Sequence, residues 1–334
     1  MTVAAIPFAS LGDSFSSFFD AVGDFGSHLA AVHWISLLLG LASFAVYMTL
    51  RARASFAILR AAYPDAPIRF RNVWGAYVAG YGFNSVVPAR GGDVIRLFLT
   101  KTSVPGSSFP AVASTFVVEL IFDLCMAVPI LAFAFTQGAF PKPPDFSKLP
   151  AFDLAFFASH PRFTLFVLTV LAILGLVAFA LLSARVRSFW TRVRQGLTIL
   201  RDRRRYVREV FLVQLSGWAF RFTAFWFLLS AFNVGGSVRN VLLVLGVNAV
   251  AALVPFTPGG AGVQQALLVK VFAGTAAGAT VAAYSVGQQI AIGAFMFGLG
   301  FAAVVGIFRF RSFKEVIAAG RAARGEDAEA PAAS

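Results

Sequence analysis

Two carboxylates, Glu119 and Asp123, stand four residues apart inside the apolar stretch 109–136. Side chains at that spacing share one face of a helix. Surrounded by lipid, two such acids repel unless they are protonated or matched by a cation. They serve either a charge-balanced cavity, a proton site coupled to transport, or a buried salt bridge that fixes helix packing. Arg96 and Arg221, from other segments, are the candidate cations, and Arg221 is otherwise a second anion contact. An ionisable group within a membrane costs roughly 2.5–3.5 kcal/mol on insertion scales, so each needs a partner or a task.

A second cluster is Arg90-Gly91-Gly92-Asp93-Val94-Ile95-Arg96, at the start of an apolar helical pattern. Backbone N–H groups at a helix N-terminus converge on one spot and carry partial positive charge. Arginine adds forked donors that match a phosphate. These residues therefore offer a site for a lipid phosphate. The competing assignment makes Arg90 and Arg96 topology determinants and ties Asp93 to Arg96 as an i, i+3 ion pair. A third candidate is Pro258, Gly259, Gly260 and Gly262, within 253–263. Two prolines and three glycines cannot continue a helix there, and the glycines offer a second anion nest. Asn84 and Asn248 precede the two breaks and can hydrogen-bond the loosened backbone. Gln288 and Gln289 lie within the last apolar span and must face protein or water.

Several chemistries have no support in the residues. No Gly-x-x-x-x-Gly-Lys stretch binds a nucleotide. Cys125 is the sole cysteine, which excludes an intrachain disulfide and a cysteine-cluster metal site. His28, His33 and His160 lack metal-ligand spacing. No cofactor is expected.

The elements that must position these residues are membrane helices. Of 334 residues, 58% are hydrophobic and 13% charged, a composition of integral membrane proteins. The net charge of +13 is unevenly distributed, so it reads as a topology signal and not as a nucleic-acid footprint. Full spans are expected at 30–50, 109–136, 163–184, 210–232 and 279–308. Lys and Arg number 5 in 51–71, 3 in 90–101, 9 in 185–208 and 5 in 309–324, which is 22 of 28. By the positive-inside rule these four segments share the cytoplasmic side. Residues 72–89 must then return to the side they left, and 240–269 must do the same from the opposite face. Two re-entrant hairpins of opposite orientation follow. Gly82-Phe83-Asn84 before the first break matches Gly246-Val247-Asn248 before the second, as in an inverted repeat. Residues 1–29 lack Lys and Arg and carry Phe15, Phe18, Phe19, Val22 and Phe25 near helical spacing, so a surface helix is expected there. The organisation is a surface segment (1–29), a transmembrane domain (30–310) and a basic, then low-complexity, cytoplasmic tail (311–334). The N-terminus falls in the periplasm. The arginine-rich 185–208 reads as an amphipathic segment on anionic headgroups, or as a topology anchor.

The motifs Asn84-x-x-x-Pro88-x-Arg90-x-Gly92-Asp93-x-x-Arg96, Glu119-x-x-x-Asp123 and Pro255-x-x-Pro258-Gly259-Gly260-x-Gly262-Val263 resemble the transmembrane region of lysylphosphatidylglycerol synthases, a flippase-like family. The resemblance covers about residues 35–310 and implies movement of lipids or lipid-linked groups between leaflets. Three positions depart from the family pattern. Leu120 stands where an arginine follows the glutamate, Gln265 where the family has glutamate, and Gln289 where it has an arginine in the last span. A proton-carrying role at Gln265 is thereby removed, while a neutral hydrogen-bonded pair is retained. The family's soluble aminoacyl-transferring domain has no equivalent after Phe310, so lysine transfer is not expected, and its usual first span is missing or reduced to 11–27.

These readings combine into an all-α polytopic membrane protein of five spans and two opposed re-entrant hairpins in a bacterial inner membrane. It is expected to pass an anionic lipid between leaflets, with Asn84, Arg90, Gly91, Gly92, Asp93, Arg96, Glu119, Asp123, Arg221, Asn248, Pro258, Gly259, Gly260, Gly262 and Gln265 on the path. The partners expected are membrane lipids, further copies of the chain or lipid-biosynthesis enzymes, and no nucleic acid. The alternatives are a membrane-embedded transferase acting on a lipid phosphate, and a non-catalytic scaffold.

Overall fold

The computed structural model describes residues 32–87, 90–137, 190–251, 263–273 and 276–310. The surface segment, the 163–184 span, the second break with Pro258, Gly259, Gly260 and Gly262, and the tail lie outside the described residues. Among those described there is no strand. The long helices are α1 (Trp34–Ala62), α4 (Phe109–Thr136), α5 (Arg203–Ala231) and α8 (Gly278–Gly306), each long and apolar enough to cross a bilayer. Between them come the short helices α2 (Phe70–Asn84), α3 (Gly91–Ser103), α6 (Val238–Ala251) and α7 (Val263–Val271).

The long helices overrun their expected bounds. With 29 residues, α1 extends about 43 Å, against a hydrocarbon core of roughly 30 Å. It does not stop at Leu50. The chain after Arg51 stays helical because Ala52, Ala54, Ser55, Ala57, Ile58 and Leu59 are all buried against neighbours. Helix α5 starts at Arg203, ahead of the expected 210, and carries a π-helical turn at Val207–Phe211.

Helices α2 and α3 form an antiparallel hairpin whose arms meet backbone to backbone. A Cβ on Gly80 would lie 2.5 Å from the Arg96 Cβ, and one on Gly92 would lie 2.6 Å from the Asn84 backbone nitrogen. Glycine at both positions is what lets the arms touch. At 15 residues α2 reaches only about 22 Å, less than the hydrocarbon thickness. Helix α3 places Asp93 in its first turn and Lys101 in its last, both matched to the helix dipole. Helices α6 and α7 make the second pair of short arms, joined side chain to side chain by Gln264 Nε2, which donates to Asn248 Oδ1 at 2.7 Å.

The contacts also sort the helix ends. Leu59, Ala62 and Tyr63 at the end of α1 cluster with Val73 of α2, Val104 after α3 and Ala111 of α4. Gln195 Nε2 donates to the Ala62 carbonyl at 3.3 Å. Phe310, beyond α8, packs on Phe98, with ring centroids 6.2 Å apart. One end of the bundle therefore gathers the chain after α1, the foot of the α2–α3 hairpin, residues 195–200 and the end of α8. The other end gathers His33, whose N–H donates to the Ala231 carbonyl at 3.0 Å, Asn233, which contacts the His33 ring, and Arg239, which donates to Gln137. Phe232 meets Tyr284 of α8 there, at 6.1 Å. The two hairpins thus enter the bundle from opposite ends.

Within the arginine-rich segment, Ile199 is buried and Leu197 and Leu200 pack beside it against Ala54, Ile58 and Val118 of α1 and α4. These leucines are seated on protein and not on a lipid surface.

Candidate functional site: a buried ion network between a re-entrant hairpin and two spans

Arg51 lies two-thirds of the way along α1, only 8% exposed. Its guanidinium takes Asp123 in a two-pronged grip: Nη1 donates to Oδ1 and Nη2 to Oδ2, the latter at 2.8 Å. Nη1 also donates to Gln214 Oε1 of α5 at 2.8 Å, and Nε to Tyr77 Oη of α2 at 2.8 Å. Glu119 Oε2 sits 3.6 Å from Nη2. Arg51 thereby ties α1, α2, α4 and α5 together at one height. The bidentate geometry is the strongest form of this contact.

Glu119, 3% exposed, accepts from a second arginine. Arg96 Nη2 donates to Oε1 at 2.5 Å and to Ser55 Oγ at 3.2 Å, while Tyr77 Oη donates to Oε2 at 3.1 Å. The Arg96 guanidinium lies between two aromatic faces, 3.9 Å from the Tyr77 centroid and 4.0 Å from that of Phe116. Such contacts are worth about 0.5–2 kcal/mol each when desolvated. The network holds two cations and two anions, so its formal charge is zero. Burial of unpaired charge would cost several kcal/mol per ion, and the pairing offsets much of that.

The acids share one face, as their spacing requires, and Arg96 is one of their partners. The other is Arg51, not Arg221. Sequence reasoning placed Arg51 at a membrane boundary and missed it, together with Tyr77 and Ser55. The signal was present: the small apolar residues after Arg51 mark continued burial. Arg221 instead lies over the rings of Trp218 at 4.7 Å and Tyr47 at 5.6 Å, and among the described residues it has no carboxylate partner.

The Arg90/Arg96 phosphate site does not form as expected. Arg90 caps α3 in a left-handed conformation (φ 57°) at the hairpin tip, with its side chain 64% exposed. Its Nε donates to Asp93 Oδ2 at 2.9 Å. Arg96 is about 1.7 turns away, facing inward to Glu119. Asp93 pairs with Arg90 and not with Arg96, because Asp93 meets Arg90 and Asn84 at the tip while Arg96 turns to Glu119 of α4 and Ser55 of α1. Asn84 Nδ2 donates to Asp93 Oδ1 at 2.8 Å, so the anion at the start of α3 is the chain's own carboxylate. Gly92 serves close packing on α2, and Gly91 lies against Val87.

The two asparagines, expected to hold loosened backbone, bridge hairpin arms through side chains: Asn84 to Asp93 and Asn248 to Gln264. A further correspondence joins each second arm to the long helix that follows it. Arg96 of α3 bonds Glu119 of α4, and Gln265 Nε2 of α7 donates to Gln289 Oε1 of α8 at 2.6 Å. Glu119 is the eleventh residue of its helix and Gln289 the twelfth. The hairpin-plus-span unit therefore occurs twice, inverted, with an ion pair in one copy and an amide pair in the other. On α8 the copies meet: Gln289 holds α7, and the backbone at Met296–Phe297 receives Gly82 of α2, about 10 Å further along.

Among the described residues no three His, Cys, Asp or Glu side chains converge as metal ligands. A family model described as the lysylphosphatidylglycerol synthase TM region matches residues 14–300. No curated protein and no solved structure matches the chain.

Proposed function

Because the chain belongs to the lysylphosphatidylglycerol synthase TM-region family, membrane proteins that act on lipids, we propose that it carries a lipid with an anionic headgroup between the leaflets of a bacterial inner membrane. The observation that carries this reading is the inverted pair of short-armed hairpins meeting on α8, beside a buried ion network. Short arms that stop within the bilayer leave polar backbone at depth, which is tolerated only against protein or a watery cavity. Transport sites are built at such interfaces between inverted repeats. The headgroup passes through this polar interior while its acyl chains remain in lipid.

The basic end of the bundle faces the cytoplasm, so the tail is cytoplasmic and the N-terminus periplasmic. The lipid is the partner that the interior receives, and the chain works without a nucleotide or other cofactor. The ion network serves as the fixed floor of the path and as the anchor of the α2–α3 hairpin.

Purified protein in liposomes tests the reading. Leaflet exchange of a headgroup-labelled glycerophospholipid should rise at least tenfold over protein-free vesicles. A covalently altered lipid recovered from the same vesicles would replace transport by a transferase activity. Neither exchange nor product would leave the scaffold role and overturn the proposal.

A further inference from the structure

The inward faces of the helices hold more positive charge than the ion network uses. Three arginines lie on inward faces of the long helices and of α3: Arg51, Arg96 and Arg221. Two carboxylates answer them, Glu119 and Asp123, both engaged by Arg51 or Arg96. Arg90 and Asp93 cancel at the hairpin tip. One cation, Arg221, is in surplus among the described residues.

Its position excludes a surface role. Arg221 is the tenth residue of Leu212–Ala231 and sits at the centre of the inward face made by Gln214, Gly217, Trp218, Ala224, Phe225 and Leu228, all buried. Across from it is Tyr47, midway along α1. That height is about 20 Å from the His33 end of α1, close to mid-bilayer. Arg221 is nonetheless only partly buried, and among the described residues its guanidinium has no carboxylate partner. The ring beneath it belongs to Trp218, which is 9% exposed and whose buried Nε1 has no acceptor. Two neighbouring donors, one charged, thus lack an oxygen. By contrast, Arg51 and Arg96 are fully committed.

We propose that Arg221 is the contact for the lipid's phosphate and that it selects headgroups of one net negative charge. This rests on the lipid-transfer reading above. A phosphodiester brings the interior to neutrality and offers oxygens to a forked guanidinium. A zwitterionic headgroup brings a second cation against Arg221. A dianion leaves the interior negative. Truncating Arg221 removes the surplus charge and with it the reason for the preference.

Wild type, Arg221→Gln and Arg221→Lys in proteoliposomes provide the test, with headgroup-labelled phosphatidylglycerol and phosphatidylcholine as probes. Wild type should move phosphatidylglycerol at least tenfold faster. Arg221→Gln should lose most of that rate and bring the two lipids to within about twofold of each other, and Arg221→Lys should retain the order of preference. An Arg221→Gln protein that keeps the preference overturns the proposal. Retention of phosphatidylglycerol by the detergent-purified proteins, read by native mass spectrometry, decides the contact independently of transport. Arg221→Gln should retain at least fivefold less than wild type, and equal retention overturns the contact. If wild type retains the lipid through Arg221 but moves none, the transport reading fails and the site stands. Displacement of the retained lipid by inorganic phosphate at millimolar concentration would reassign the site to a free anion and overturn the lipid claim.

Discussion

Arg51 bonds to Tyr77, Asp123 and Gln214 and lies against Glu119, and no other residue described touches as many elements through polar contacts. Removing one member of a buried pair strands the other, which costs about 3–5 kcal/mol. Arg51→Gln should therefore lower unfolding stability in micelles by that amount, and Asp123→Asn by somewhat less, because Asp123 is the more exposed partner. The double variant strands neither charge on this side of the network. Its loss should fall short of the sum of the singles by about 1–3 kcal/mol in a denaturant cycle. Additive losses would show that the two side chains act separately. The acids of this network were legible in the sequence from their i, i+4 spacing. Their main partner was not, because an arginine at the end of a predominantly apolar stretch has the same local pattern whether the helix stops or continues. The residues that decide it come after Arg51, where Ala52, Ala54 and Ala57 leave room for neighbours to close around the guanidinium.

At the scale of elements, the α2–α3 hairpin depends on glycines whose missing side chains are occupied by the opposite arm. Gly92→Val should force the arms apart and cost at least about 2–4 kcal/mol, within the range of overpacking and of lost backbone contact, and should release Arg96 from Glu119. Gly278→Ala and Gly298→Ala meet nothing within 4 Å and should be neutral or slightly stabilising in the same thermal melt. A Gly92→Val protein melting with the parent would remove the close-packed hairpin. The amide pair of the second hairpin makes a matching prediction. Gln265→Glu alone should destabilise by about 2 kcal/mol or more, because it places an unmatched carboxylate at depth. Adding Gln289→Arg should restore stability to within about 1 kcal/mol of the parent, since the same geometry holds an ion pair at Arg96–Glu119. The existence of both hairpins could be read from proline, glycine and charge placement. The pairing of Asn84 with Asp93, and of Asn248 with Gln264, could not. Hydrogen bonds between arms depend on register, and a loop whose turn is set by backbone does not disclose it.

For the molecule as a whole, the controlling fact is which helix ends lie together. Charge counting placed 51–71, 90–101, 185–208 and the chain after 309 on one side, and the packing of Ala62, Val104, Gln195 and Phe310 gathers the same segments at one end. Within 90–101 the counting reached the correct end for the wrong residues. Only Lys101 lies near the foot of the hairpin, while Arg90 caps the tip and Arg96 is interior. The rule groups these segments because it acts on flanking sequence during insertion, whereas interior arginines are held by partners. Single cysteines in a Cys125→Ala background give the decisive measurement. Asp65, Arg194 and Arg309, all exposed at the basic end, should react with an impermeant maleimide only after the cells are opened. Val238 and Ala279, exposed at the opposite end, should react in intact cells. Reaction of 65 and 194 from opposite compartments would break the common end, and with it the opposed insertion of the two hairpins. Reversal of the whole pattern would leave the fold intact and turn the basic end to the periplasm. Agreement leaves α6 and α7 inserted from the periplasmic side and α2 and α3 from the cytoplasmic side, so a headgroup leaving either leaflet meets a hairpin before it reaches the mid-depth arginine.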